Sequence, residues 1–212
     1  MEFARRMGQL GTETAFEVLA RARALEAQGR SIVHLEIGEP DFPTPEHVVE
    51  AGCRALRDGA THYTPAPGIP ELRAAIAADA SRRRGVRYDA EDVVVTPGGK
   101  PIMFFAILAL VDEGDEVVYP NPGFPIYESM IQFVGGRAVP ARFDESRDFA
   151  LDVDHLCAAI GPRTRMVILN SPHNPTGGAL ARADVERIAE VVRRHPRVTV
   201  LSDEIYSRML YG

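Results

Sequence analysis

At 212 residues the chain can bury a sizeable core, and its ordinary balance of 45% apolar and 25% charged residues excludes a disordered protein. A net charge of −6 leaves no basic footprint for nucleic acid. The longest apolar run, residues 102–111, is too short to span a bilayer, and the first six residues lack the apolar core of a secretory signal.

In chain order, residues 14–28 carry apolar side chains at helical spacing and stop at Gly29. Residues 32–37 read as a short strand, and 39–45 as a loop rich in proline and acids. A helix follows over 45–56, with Pro45 in its first turn. Residues 62–70 hold too many prolines for regular structure, and a helix resumes over 69–84 until Gly85. From residue 93 the pattern alternates: strands over 93–96, 116–119, 137–141, 166–170 and 199–202, helices over 99–111, 125–134, 153–160 and 183–195. Short apolar strands separated by helices imply an α/β fold, a mainly parallel sheet flanked by helices. The best boundary lies at residues 43–46, separating 1–44 from 45–212.

Cys53 and Cys157 have no metal or redox spacing and read as buried small residues of a cytosolic protein. The six histidines show no metal spacing, so no metal is expected, and His173 reads as local loop packing. Arginine far outnumbers lysine, which occurs once, at Lys100; genomic base composition accounts for that.

Two segments carry the chemistry: Asn170-Ser171-Pro172-His173-Asn174-Pro175-Thr176-Gly177-Gly178 and Ser202-Asp203-Glu204-Ile205-Tyr206. Each follows an apolar, β-branched run and so falls at the carboxyl end of a buried strand, where open α/β sheets bind ligands. By residue type alone, Asp203 equally suits a helix cap, Asn174 a turn, and Tyr206 or Phe124 a core.

With Ile37-Gly38-Glu39-Pro40-Asp41-Phe42, Tyr63-Thr64-Pro65, Gly68-Ile69-Pro70-Glu71-Leu72-Arg73, Thr96-Pro97-Gly98-Gly99-Lys100 and Pro120-Asn121-Pro122-Gly123-Phe124, these segments make the chain resemble the fold-type I pyridoxal-phosphate aminotransferases of class I/II, the aspartate and aromatic aminotransferase branch. The resemblance covers the amino-terminal portion of that family. It implies that 1–44 is an N-terminal arm with a small-domain segment, and that 45–212 is the cofactor-binding large domain, incomplete at its C-terminus.

The resemblance further implies pyridoxal 5'-phosphate as cofactor and assigns its contacts. Asp203 matches the acid beside the ring nitrogen, where an opposite charge favours the protonated ring. Asn174 and Tyr206 match the donors to the phenolic oxygen, with a cis Asn174–Pro175 bond. Phe124 matches the aromatic that stacks on the ring, where Trp or Tyr is common. Gly98, Gly99 and Lys100 form the turn that opens a helix, a natural phosphate site. Tyr63 matches the residue reaching the phosphate of a neighbouring subunit, implying a homodimer, and Gly38 lies near the substrate carboxylate.

No catalytic residue is assigned within these residues, because the Schiff-base lysine of the family is expected beyond Gly212. Lys100 sits at the phosphate turn and does not match it. The implied activity is an amino-group transfer between an L-amino acid and a 2-oxo acid in the cytoplasm, without nucleic-acid or membrane partners, the 212 residues alone being inactive. A C–S lyase of the same fold and a non-catalytic fragment are the alternatives.

Overall fold

The computed structural model describes residues 2–11 and 14–210. Its helices and strands run in the order α1 (Thr14–Glu26), α2 (Glu46–Arg57), α3 (Pro70–Arg84), α4 (Lys100–Leu110), β1 (Glu116–Pro120), α5 (Ile126–Phe133), β2 (Arg137–Ala141), β3 (Phe143–Asp144), β4 (Ala150–Leu151), α6 (Val153–Ala159), β5 (Thr164–Asn170), α7 (Arg182–Arg193) and β6 (Thr199–Asp203). By contacts the chain divides into two compact units, Met1–Glu13 with Gly98–Gly212, and Thr14–Pro97. The junction expected at 44/45 falls inside the second unit, whose three helices contribute no strand to the main sheet.

The first unit is built on a four-stranded sheet in the order β2-β1-β5-β6, parallel throughout. The helical crossovers that parallel pairing demands cover both faces. On one face, Val117 and Tyr119 of β1 and Met166 and Ile168 of β5 pack with Met103 and Ile107 of α4 and Tyr127, Met130 and Ile131 of α5. On the other, Val118 and Val167 pack with Leu156 of α6 and Ile188 of α7. Alternate residues of one strand thus enter opposite cores, which is why these strands read as unbroken apolar runs. Pro140 sits in β2, a strand with a single partner, where a missing N–H is tolerated.

At the amino ends of the strands lies a buried charge. Glu116 accepts hydrogen bonds from Arg137 (2.7 Å from Nη2) and Arg163 (2.6 Å from Nε). Burial raises its carboxyl pKa, but the two guanidiniums outweigh that and leave it below the usual carboxylate range.

The second unit holds α1, α2 and α3. Gly85 ends α3 in the left-handed region at φ +66°, as a C-terminal glycine should. Two expected strands are absent here. Residues 32–37 form no strand, the chain bending at Glu36, and Val33 and Leu35 are more than four-fifths exposed. Residues 93–96 spend their backbone groups elsewhere: Val95 donates to the Pro67 carbonyl, and the Val93 carbonyl accepts from Arg73. Alternating apolar residues fix which way side chains point, but a strand also needs a neighbour to pair with.

Candidate active site

The carboxyl ends of β5 and β6 and the amino end of α4 open onto a cleft of about 400 Å³, within the usual range of small-molecule sites. Gly99, Lys100, Phe124, Asn174, Asp203 and Tyr206 line it together, as do Tyr127 and Asn170. Residues distant in sequence meet here because parallel strands place all their carboxyl ends on one rim.

Asp203 is the last residue of β6, in register with Asn170 of β5. Its Oδ2 accepts a hydrogen bond from the Tyr127 hydroxyl at 2.5 Å, and its Oδ1 accepts one from the Ile205 N–H at 3.3 Å. An ionised carboxylate has acceptor capacity beyond these two bonds. Tyr127 is fully buried at the start of α5. Burial, and secondarily the Asp203 carboxylate, push its phenol pKa well above the ordinary tyrosine value, so the hydroxyl stays protonated and donates. Beyond Asp203 the chain turns, with Ser207 N–H donating to Glu204 and Met209 N–H to Tyr206, and the turn brings Tyr206 to the same cleft.

Asn174 sits in a loop fastened at several points. Its N–H donates to Asn170 Oδ1 at 2.8 Å. The His173 and Gly178 backbones join at 2.8 Å, and Leu180 N–H donates to Ser171 Oγ at 2.9 Å. The buried His173 ring stacks on Phe143 with centroids 4.1 Å apart and lies 2.8 Å from Thr176 Oγ1. Burial lowers its pKa, which keeps the imidazole neutral and suited to packing. The Asn174–Pro175 bond is cis, as the resemblance implied; Asn121–Pro122 and Ser171–Pro172 are cis as well. Asn174 and Tyr206 also border a second hollow of about 290 Å³ with Pro172, Pro175 and Met209.

Gly99 lines the cleft and precedes α4 without a side-chain cap, whereas its neighbour Gly98, at φ +89°, is not among the lining residues. Lys100 is the first residue of α4, so its ammonium and the helix amino terminus lie together here. Phe124 is half-buried and meets Tyr127 edge-on at 5.8 Å. Its neighbour Gly123 lies so close to Pro120 that a Cβ would come within 2.2 Å of that carbonyl oxygen.

Gly38 and Tyr63 belong to the other contact unit. Tyr63 is fully exposed, and a Cβ at Gly38 would have no heavy atom within 4 Å. Among the described residues no group of three or more His, Cys, Asp or Glu could hold a metal ion. Tyr127 escaped the sequence reading, and Asn170 entered it only as the first residue of its motif, without a role. Tyr127 stands one helical turn beyond Phe124, a spacing that could have flagged it, whereas Asn170's role depends on which strand lies beside it.

A family model described as aminotransferase class I and II matches residues 30–212. The chain is 40% identical over 208 residues to an aspartate aminotransferase of Rhizobium meliloti, covering 98% of this chain and 51% of that protein. It is 41% identical to an aspartate/prephenate aminotransferase of Cereibacter sphaeroides, covering 92% of this chain and 48% of that one. Among solved structures, the aspartate aminotransferase of Thermus thermophilus with maleate superposes with a TM-score of 0.94 at 39% identity, over all of this chain and 55% of that one. An alanine aminotransferase from Pyrococcus furiosus gives 0.93 at 34% identity, over all of this chain and 54% of that one. The chain spans about half the length of these relatives.

Proposed function

The chain belongs to the class I and II aminotransferase family, and from that membership we propose that the intact protein transfers an amino group between an L-amino acid and a 2-oxo acid, using pyridoxal 5'-phosphate. One observation carries the reading: a single cleft is lined by an acid, an amide, a phenol, an aromatic ring and a cationic helix terminus. That donor set fits a flat heteroaromatic ring with a phosphate tail.

When bound, the cofactor supplies an electron-withdrawing ring that stabilises negative charge at the amino-acid Cα. Asp203 is assigned to the ring nitrogen, where its charge favours the protonated form. Tyr127 holds that carboxylate in place by donating to Oδ2. Asn174 and Tyr206 are assigned as donors to the phenolic oxygen, Phe124 as the stacking face, and Gly98, Gly99 and Lys100 as the phosphate site. Gly38 is assigned to the substrate carboxylate. Covalent capture of the cofactor is assigned to a lysine other than Lys100.

The named relatives make aspartate the first amino donor to test. We assign the protein to the cytoplasm, in keeping with two free cysteines and the absence of any membrane-spanning helix among the described residues. We also assign it a homodimeric state in which Tyr63, fully exposed here, reaches the phosphate of the neighbouring site.

The test is to load the intact protein with pyridoxal phosphate and supply aspartate and 2-oxoglutarate. Formation of oxaloacetate with ping-pong kinetics is the expected result. Failure to convert any of a panel of amino acids to 2-oxo acids would overturn it. Ammonia and thiol release from a cysteine thioether, in place of transfer, would favour a lyase.

A further inference from the structure

Asn170 closes β5, buried at 7% exposure, with both ends of its carboxamide engaged. Its Oδ1 accepts from the Asn174 N–H at 2.8 Å, and its Nδ2 donates to the Asp203 carbonyl at 3.1 Å. The orientation of the amide is fixed by its partners, since an N–H only donates and a carbonyl only accepts. The Asp203 carbonyl also accepts from the Ser171 N–H at 3.3 Å. One planar group therefore ties the loop bearing Asn174 to the strand bearing Asp203.

We propose that Asn170 is a positioning residue that sets the spacing between the Asn174 amide and the Asp203 carboxylate, and so the fit of the cleft to the cofactor ring. This rests on the reading of Asn174 and Asp203 as cofactor-holding residues. A carboxamide presents a donor and an acceptor side by side, at the separation the two backbones require. Alanine offers neither: the half-buried Asn174 N–H loses its partner, and the Asp203 carbonyl keeps only its bond from the Ser171 N–H. Aspartate keeps the acceptor for Asn174, loses the donor to Asp203, and adds a negative charge near the existing carboxylate. Protonation of that aspartate restores the donor and removes the charge.

The test is a double-mutant cycle on the intact protein, read as the dissociation constant of pyridoxal phosphate and the circular dichroism of the bound cofactor. Asn170→Ala is expected to weaken binding about tenfold, the scale of one or two net hydrogen bonds, and to reduce the induced dichroism. Placed on Asn174→Ala, it is expected to add less than about twofold, because the residue it positions is gone. Asn170→Asp, which preserves volume, is expected to bind weakly at neutral pH and recover on acidification, while the parent protein shows no such gain.

Additive penalties in the cycle, or an Asn170→Asp variant that binds like the parent at neutral pH, would overturn the proposal. If Asn174→Ala itself leaves cofactor binding unchanged, the site reading fails. If Asn174→Ala weakens binding and Asn170→Ala does not, only the positioning role fails.

Discussion

The Tyr127 hydroxyl and the Asp203 carboxylate, 76 residues apart in sequence, meet at 2.5 Å. The phenol is fully buried on the core side of the cleft, and the acid stands at the end of β6. A hydrogen bond to a charged group contributes about 1.5–3 kcal/mol. Tyr127→Phe should therefore lower the stability of the cofactor-free protein by about 1–2 kcal/mol. Loss of the group that orients Asp203 should also slow transamination about tenfold. Thermal melts and turnover assays on the two proteins check this.

Asp203 and Phe124 are assigned different work, and their substitutions should separate accordingly. Asp203→Ala removes the charge that stabilises a protonated ring, and should reduce kcat by about 100-fold or more. Phe124→Leu keeps an apolar face and loses only stacking, a loss of about 0.5–1.5 kcal/mol, roughly two- to tenfold. Similar mild losses in both would refute the ring-nitrogen assignment.

Lys100 lies at the phosphate end of the cleft as the first residue of α4. Lys100→Ala should weaken cofactor affinity about fivefold at low salt, and less as ionic strength rises. The cofactor should still become covalently fixed on borohydride treatment. Loss of that fixation would show that Lys100 itself captures the cofactor.

Glu116 predicts a pH dependence of stability. Its folded-state pKa is depressed from 4.5, so its contribution is fully present above pH 4.5 and disappears as pH falls through the lower folded value. The two arginines are mostly exposed, which screens the pairs and reduces the expected effect of Glu116→Gln to about 1–2 kcal/mol at neutral pH. Chemical denaturation of parent and variant should differ at pH 7 and converge progressively as the pH falls below 4.5.

Gly123→Ala should destabilise the protein by about 1–3 kcal/mol, because a methyl group would strike the Pro120 carbonyl and push the backbone that carries Phe124. Gly99→Ala, where a Cβ meets nothing within 4 Å, should leave the fold intact. Melting temperatures of the two variants distinguish steric necessity from mere glycine content.

The strands of the main sheet were legible because burial on both faces writes itself into sequence as runs such as Val117–Tyr119 and Met166–Leu169. Residues 32–37 carried a similar pattern and failed, since pairing information is not local. The hairpin of β3 and β4 was missed because two-residue strands contain no period to detect. Within the cleft, Asn174, Asp203 and Tyr206 were visible through their motifs. Tyr127 was not, and Asn170 was visible only as the opening of its motif, because each acts through a partner that only the strand order brings near.

That strand order has a consequence for how the protein matures. β1 pairs with β5 across the span that contains β2 and the β3–β4 hairpin, and β6 pairs with β5 across the span that contains α7. Such non-local pairing is slow, since chain closure precedes any reward. The side chains of Asn174 and Asp203 converge on the cleft only once β6 has paired with β5. Ligand supply therefore favours the state with β6 in place: at a hundredfold excess over its dissociation constant, an occupant would add about 2.7 kcal/mol to that state alone.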